Sequence, residues 1–464
     1  MASVANALGV LLPYSGPSSR WLSAADSGPT LLATPLNDSL YGGGNGTVTM
    51  WGLAGDDIYN LYSTKDQVFE QPGEGIDTII TWMSYTLPEN FENLTVTGDR
   101  QIAIGNDQDN IISGRSAQQT LDGGAGNDVL IGGDGADIFS VKRGNGSDVI
   151  LDFNANDIVR LDGYGFTSFD QVKANMFQSG IDVTLGLADG EVLVFANKTI
   201  EQLHADQFKL GLDKSNLRLT FADEFDSLSL WNGQTGTWDT NYWWGAPNGS
   251  TLPDNKELEW YIDTDYRPTK SVNPFSVEDG VLTITAARAP EEIRPFINNY
   301  EYTSGMITSF ESFSQTYGYF EIRADMPDTQ GTWPAFWLLP ADGTWPPELD
   351  VIEMRGQNPN QLVLTAHSEA TGEHTQIRSV ANVSDTEGFH TYGLLWTQNE
   401  LVWYFDDVEV ARAETPPDMH DPMYMIANMG LGGWAGTPAD GLATPAEMKI
   451  DYIHAYQLGD DAIL

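Results

Sequence analysis

The sequence predicts an all-β protein in two unlike parts, a parallel β-roll in the first half and a β-sandwich of jelly-roll type in the second. Two observations carry this. Gly105, Gly114, Gly123 and Gly132 fall nine residues apart, the mark of a short structural repeat. Beyond roughly Lys214 the texture changes to short alternating runs bounded by turn residues, without helical periodicity. The expected division is an N-terminal segment over 1–35, the roll over 36–165, a roll cap and linker over 166–213, and the sandwich with its C-terminal tail over 214–464.

Composition narrows the partners. The 464 residues suffice for two or three cores, and 41% hydrophobic content is that of a folded chain. Sixty-six Asp and Glu against 22 Lys and Arg give a formal charge of −44. Nucleic acid and anionic membrane would both repel such a chain, so neither is expected as a partner. Hard cations such as Ca²⁺, which take oxygen ligands, suit it. There is no cysteine, so stability must come from the cores, from metal, or from both. No apolar run is long enough to span a bilayer, and membrane insertion is not expected. Met1 to Tyr14 has an apolar stretch at Leu8–Leu12 but no positive n-region, which makes a poor signal peptide.

The nonapeptides keep phase. Their sixth positions are Asn110, Gln119, Asp128 and Asp137, and their eighth are Ile112, Leu121, Leu130 and Phe139. The units 123–131 and 132–140 match G-G-x-G-x-D-x-U-x position by position. Glycine permits the turn, the sixth-position aspartate offers an oxygen to Ca²⁺, and the apolar eighth position faces inward. Successive turns lie on opposite sides of a roll, so ligands stack every eighteen residues, Asp128 over Asn110 and Asp137 over Gln119. An upstream patch, Gly43-Gly44-Asn45-Gly46 and then Gly52-Leu53-Ala54-Gly55-Asp56-Asp57, repeats the theme, with Asp57 as its metal candidate. The run 144–153 reads as a closing turn.

This half resembles the RTX (repeats-in-toxin) calcium-binding proteins. The resemblance implies structural Ca²⁺ at Asp57, Asp128 and Asp137, an extracellular, secreted protein, and the type I secretion machinery as a partner. The acidic, then apolar end Leu458–Leu464 has the character of an uncleaved export signal.

In the second half, strand-like runs include Val281–Ala286, Gly318–Ala324, Leu401–Phe405 and Met448–His454. The run Glu348-Leu349-Asp350-Val351-Ile352-Glu353 lies on another. Strict alternation places Glu348 and Asp350 on one face and Glu353 on the other. One β-bulge between Asp350 and Glu353 brings all three to one face, where their carboxyls converge. Two carboxyls about 5–5.5 Å apart suit a retaining glycosidase, against roughly 6.5–9.5 Å for an inverting one. Sugar rings stack on aromatic faces, so Trp345, three residues before Glu348, and Trp333 are cleft candidates; Trp337 suits cleft and core equally.

Glu-Leu-Asp-Val-Ile-Glu resembles the E-x-D-x-x-E signature of glycoside hydrolase family 16 in its β-bulge form. Phe221-Ala222-Asp223-Glu224-Phe225, Gly318–Arg323, Trp333–Leu339, Phe389-His390-Thr391-Tyr392 and Ile450–Tyr456 resemble flanking segments in order, over about residues 217–457. The resemblance implies a concanavalin-like sandwich with Glu348 as nucleophile, Glu353 as general acid/base and Asp350 hydrogen-bonded to the nucleophile. It further implies substrate contacts from Glu321, Arg323, Asn428 and His367, and a Ca²⁺ held by Glu224 and Asp451. His454 and Leu395 depart from common family residues.

A roll of this kind joined to a family 16 domain resembles the secreted endo-β-glycanases that depolymerise succinoglycan. The expectation is therefore a secreted, monomeric enzyme that hydrolyses an exopolysaccharide by retaining double displacement. Laminarin or mixed-linkage glucan is the second substrate reading. A non-catalytic, calcium-dependent polysaccharide-binding matrix protein is the reading from another class.

Overall fold

The structure, a computed structural model, describes residues 21–24, 29–44, 47–384 and 386–459. The N-terminal segment to residue 20, Asn45 and Gly46 of the upstream patch, and residues 460–464 of the acidic tail lie outside the described residues. The chain divides into two compact units, Met1–Gly211 and Leu212–Leu464. Among the described residues no helix is long and apolar enough to cross a membrane.

The first unit is a parallel β-solenoid. On one face Trp21–Ser23, Ser39–Tyr41, Ile58–Leu61, Thr78–Thr81, Asn93–Val96, Ile111–Ser113, Val129–Ile131, Asp148–Ile150 and Val192–Phe195 stack in that order. The opposite face holds two shorter stacks, Thr30–Leu32 to Gln67–Phe69 and Tyr85–Thr86 to Phe208–Lys209. Strands thus begin before residue 36 and continue past 165. The run 144–153 is followed by further rungs, and the antiparallel hairpin Met176–Ser179 with Asp182–Gly186 extends the sheet beyond Val192–Phe195.

The eighteen-residue stacking is observed directly, with Ile111 opposite Val129 and Thr120 opposite Ile138. Ile112, Leu121, Leu130 and Phe139 are fully buried, so the eighth positions build the core that one coil alone cannot enclose. The sixth-position aspartates form ladders. Asp128 Oδ1 accepts the backbone N–H of Asn110 at 2.7 Å, and Asp137 Oδ1 that of Gln119 at 2.8 Å. The first glycine of each repeat makes room for its own aspartate: a Cβ on Gly123 would lie 2.2 Å from Asp128 Oδ2, and one on Gly132 2.6 Å from Asp137 Oδ2. Glycine and aspartate at this spacing therefore act as one unit.

The second unit is a sandwich. Its larger sheet runs Glu259–Tyr261, Tyr302–Ser304, Val281–Arg288, Ala446–Leu458, Gly318–Asp325, Phe389–Trp396, Glu400–Phe405, Val408–Glu414, with Leu217–Asp223 and Phe275–Glu278 paired alongside. The other sheet has six strands in the order Met306–Thr308, Met423–Leu431, Thr332–Pro340, Glu348–Glu353, Gln361–Ser368, Thr375–Asn382. Phe320, Ile322 and Ala324 from the first sheet and Phe336, Leu338, Leu362, Leu364, Met425 and Ala427 from the second share one buried core. Alternation then turns Trp333, Ala335 and Trp337 to the six-stranded sheet's other face.

Candidate active site

The strand Glu348–Glu353 carries the expected bulge. Asp350 is opposite Thr365 but Glu353 is opposite Val363, so three steps on one strand match two on the next. Val351 and Ile352, consecutive in sequence, both join the core between the sheets, which returns Glu353 to the side of Glu348 and Asp350. Trp403 of the larger sheet fixes the distortion by donating its indole N–H to the Asp350 carbonyl at 2.8 Å. All three carboxyls consequently line one open cleft of about 710 Å³.

Aromatic groups hold the two glutamates. Trp345 donates its indole N–H to Glu348 Oε2 at 2.5 Å, and Trp333 donates to Glu353 Oε1 at 2.9 Å. Both indoles line the cleft, and Trp345 is 57% exposed, leaving a face for a sugar ring. Trp337 also borders the cleft but is almost wholly buried, its N–H given to Asn428 Oδ1 at 2.8 Å. Asn428 in turn donates to the Tyr261 hydroxyl at 2.9 Å, so its amide braces the cleft floor from both ends. His367 places Nε2 3.3 Å from Asp350 Oδ2 and Nδ1 2.9 Å from His374 Nε2.

Electrostatics follow from enclosure. Burial raises all three carboxyls. Glu348 is pushed up to about 8 by burial and then by the charge of Asp350, against the Trp345 hydrogen bond. Glu353 is pushed up to about 7 by burial and then by the charge of Glu348, with the Trp333 hydrogen bond and Arg378 opposing. Asp350, between them, is driven well above the ordinary aspartate range by burial and by Glu353. Three carboxyls this close cannot all be ionised near neutrality.

Two sequence-based expectations are corrected. Glu321 and Arg323 stand on the larger sheet, not in the cleft. Glu321 is buried against Lys214 Nζ at 2.8 Å and the Tyr456 hydroxyl at 3.1 Å, and Arg323 pairs with Asp451 across the strands. They share a polar face as alternation requires, but it is the face turned away from the core and from the six-stranded sheet. The calcium candidates Glu224 and Asp451 have side-chain partners on this sheet: Glu224 is 2.6 Å from His454 Nε2, and Asp451 pairs with Arg323.

The cleft also includes residues that sequence reasoning missed: Trp244, Glu257, Gln376, Arg378 and Trp434. The Trp243-Trp244 pair and the glycine-flanked Trp434 were signals of a sort, since large aromatics in loops commonly serve ligands. Glu257 and Arg378 offered none.

In the solenoid, Asp57 Oδ2, Asp128 Oδ2, Asp137 Oδ2 and Glu70 Oε2 are buried without a hydrogen-bond partner. Asp57, Glu70 and Asp77 each bring one oxygen within 4.8 Å of the others. Orphaned carboxylate oxygens in a buried loop fit an oxygen-seeking cation.

Comparison with known proteins agrees with the sandwich and its cleft. The model of "Glycosyl hydrolases family 16" matches residues 262–454. The chain is 62% identical over 99% of both lengths to "Endo-1,3-1,4-beta-glycanase ExsH" of Rhizobium meliloti (strain 1021), and 60% identical, again over 99% of both, to "Endo-1,3-1,4-beta-glycanase EglC" of the same strain. A "Beta-glucanase" of Rhodothermus marinus is 32% identical over 53% of this chain and 89% of its own. With two full-length relatives at this identity and a carboxylate cleft built on the bulged strand, the chain belongs to glycosyl hydrolase family 16.

Proposed function

We propose that this protein is a secreted endo-β-glycanase that depolymerises succinoglycan by retaining double displacement. The observation that carries the chemistry is the bulge that turns Glu353 to the side of Glu348 in one cleft. The substrate class is supported by the names of the two full-length relatives, both endo-1,3-1,4-β-glycanases.

In this reading the active form holds two protons among three carboxyls. Asp350, held well above the ordinary aspartate range by burial and then by the charge of Glu353, keeps one. With Asp350 neutral, its repulsion on Glu348 disappears, and the Trp345 N–H helps hold Glu348 as an anion. Glu353 keeps the second proton near neutrality. Glu353 protonates the departing glycosidic oxygen while Glu348 Oε attacks the anomeric carbon, forming a glycosyl ester and releasing the first product. Glu353, now ionised, takes a proton from water, whose oxygen displaces Glu348 and frees the second sugar.

Calcium belongs to the solenoid in this reading. Asp57, Asp128 and Asp137 would hold it through their unpartnered Oδ2 atoms, and its role is to neutralise the ladder and link folding to the calcium-rich exterior after type I export. Incubation with succinoglycan, laminarin and lichenan tests the substrate. A rapid viscosity drop with succinoglycan is expected. Preferential cleavage of laminarin or lichenan would replace succinoglycan with a β-glucan, and no cleavage of any polymer would remove the enzyme reading.

A further inference from the structure

We propose that the cleft holds an inhibitory site for a zinc ion, with Glu348, Asp350 and His367 as its three protein ligands. The proposal rests on the glycanase reading and adds to it a metal that blocks the nucleophile. The strands bring these side chains together. Glu348 lies directly opposite His367 and Asp350 opposite Thr365, so Glu348, Asp350 and His367 project from one face of neighbouring strands. One atom from each lies within 4.8 Å of the other two. His367 Nε2 stands 3.3 Å from Asp350 Oδ2. Two ligands of one tetrahedral zinc ion are about 3.4 Å apart, so this pair already has the spacing of a shared ion.

The atoms concerned are available. Asp350 is only 2% exposed, and its Oδ2 has no hydrogen-bond partner. A buried carboxylate oxygen in that state calls for a proton or a cation. His367 is held from its other side, where Nδ1 is 2.9 Å from His374 Nε2 and the two rings stack at 5.2 Å. With its Nδ1 proton given to His374, His367 presents the Nε2 lone pair to the carboxyls, the way outer partners orient a metal-bound histidine. Two carboxylates side by side repel, and a divalent ion between them reverses the sign of that interaction. The donor set selects the ion. Calcium takes about six to eight oxygens and gains little from an imidazole. Two carboxylates and one imidazole suit zinc, whose fourth position opens to the cleft. The solenoid cluster of Asp57, Glu70 and Asp77 contains no imidazole and suits the harder ion. Zinc bonded to Glu348 occupies the oxygens that must attack the anomeric carbon, so metal and glycan compete.

The full chain in saturating calcium, which keeps the solenoid loaded, is titrated with Zn²⁺ while hydrolysis of the polymer it cleaves fastest is followed. Inhibition should raise KM rather than lower kcat, reverse on dilution into zinc-free calcium buffer, and be absent with Mg²⁺. Judged by the ratio of rates with and without zinc, His374→Gln should weaken inhibition about tenfold. His367→Gln, which removes a ligand, should weaken it further, and His454→Gln should leave it in place. Binding is read separately from the visible absorption of Co²⁺ in place of zinc, which is intense in a four-coordinate site and needs no substrate. The band should appear with the wild type and vanish in His367→Gln. Active wild type indifferent to zinc, equal inhibition of wild type and His367→Gln, or the absence of a His367-dependent cobalt band would overturn the proposal. A His367-dependent band in a protein that hydrolyses no glycan would instead overturn the glycanase reading and leave the metal site standing.

Discussion

The indole N–H of Trp333 donates to Glu353 Oε1 at 2.9 Å, tying an aromatic wall of the cleft to the carboxyl proposed as its proton donor. A hydrogen bond to the carboxylate favours the ionised form, so it partly offsets the rise that burial imposes. Trp333→Phe keeps an aromatic face and removes the donor. Glu353 should then hold its proton to higher pH. Activity requires that proton, so the alkaline limb of kcat/KM, set near 7 by Glu353, should move upward. A pH–rate profile in which this limb stays in place would separate Trp333 from the acid.

The three carboxyls should respond unequally to amidation. Glu348→Gln removes the nucleophile and Glu353→Gln the acid/base, and each should lower kcat by about a hundredfold or more. In the proposed mechanism Asp350 stays neutral, a state that an amide mimics. Asp350→Asn should therefore retain clearly more activity than either. Equal losses at all three positions would show that Asp350 works as an anion.

Gly123→Ala tests the coupling between the first and sixth repeat positions. The added Cβ would sit 2.2 Å from Asp128 Oδ2, so the loop or the aspartate must move. Overpacking of this kind costs about 1–3 kcal/mol. Thermal unfolding of the full chain should show a lower transition, with kcat on the glycan little changed.

Calcium should stabilise the solenoid by binding its folded form. At a concentration a hundred times Kd the gain is about 2.7 kcal/mol, visible as a raised unfolding midpoint that a chelator reverses. Asp128→Asn, which keeps a carbonyl oxygen for the Asn110 N–H but loses the charge, should shrink the calcium-dependent part. A midpoint indifferent to calcium and chelator would remove the metal from the account.

Much of the site was legible because it breaks a local rule. Val351 and Ile352 interrupt strict alternation, and the interruption is what places Glu353 beside Glu348. The glycine repeat was equally plain, since each Gly–Asp pair makes a complete turn locally. Glu321 and Arg323 were misplaced for a different reason. Alternation tells which residues share a polar face, but the cleft and the outer surface of a sandwich are both polar, and only the pairing of sheets distinguishes them. Arg378 was invisible because no periodicity marks a side chain on a mostly exposed edge strand, and Trp434, in a loop that reaches the cleft from a distant part of the chain, was marked only by its glycine-rich setting. The outermost solenoid rungs, Trp21–Ser23 and Phe208–Lys209, lack the glycine signature altogether.

The most direct test of the central claim is the anomeric configuration of the first product. Glu348 and Glu353, on one face of one bulged strand, should act as nucleophile and acid/base in a double displacement. Proton NMR in the first minutes of hydrolysis, before mutarotation, should show the new reducing end as the β-anomer. Initial appearance of the α-anomer would mean a single displacement by water, and would contradict the assignment of Glu348 as the nucleophile.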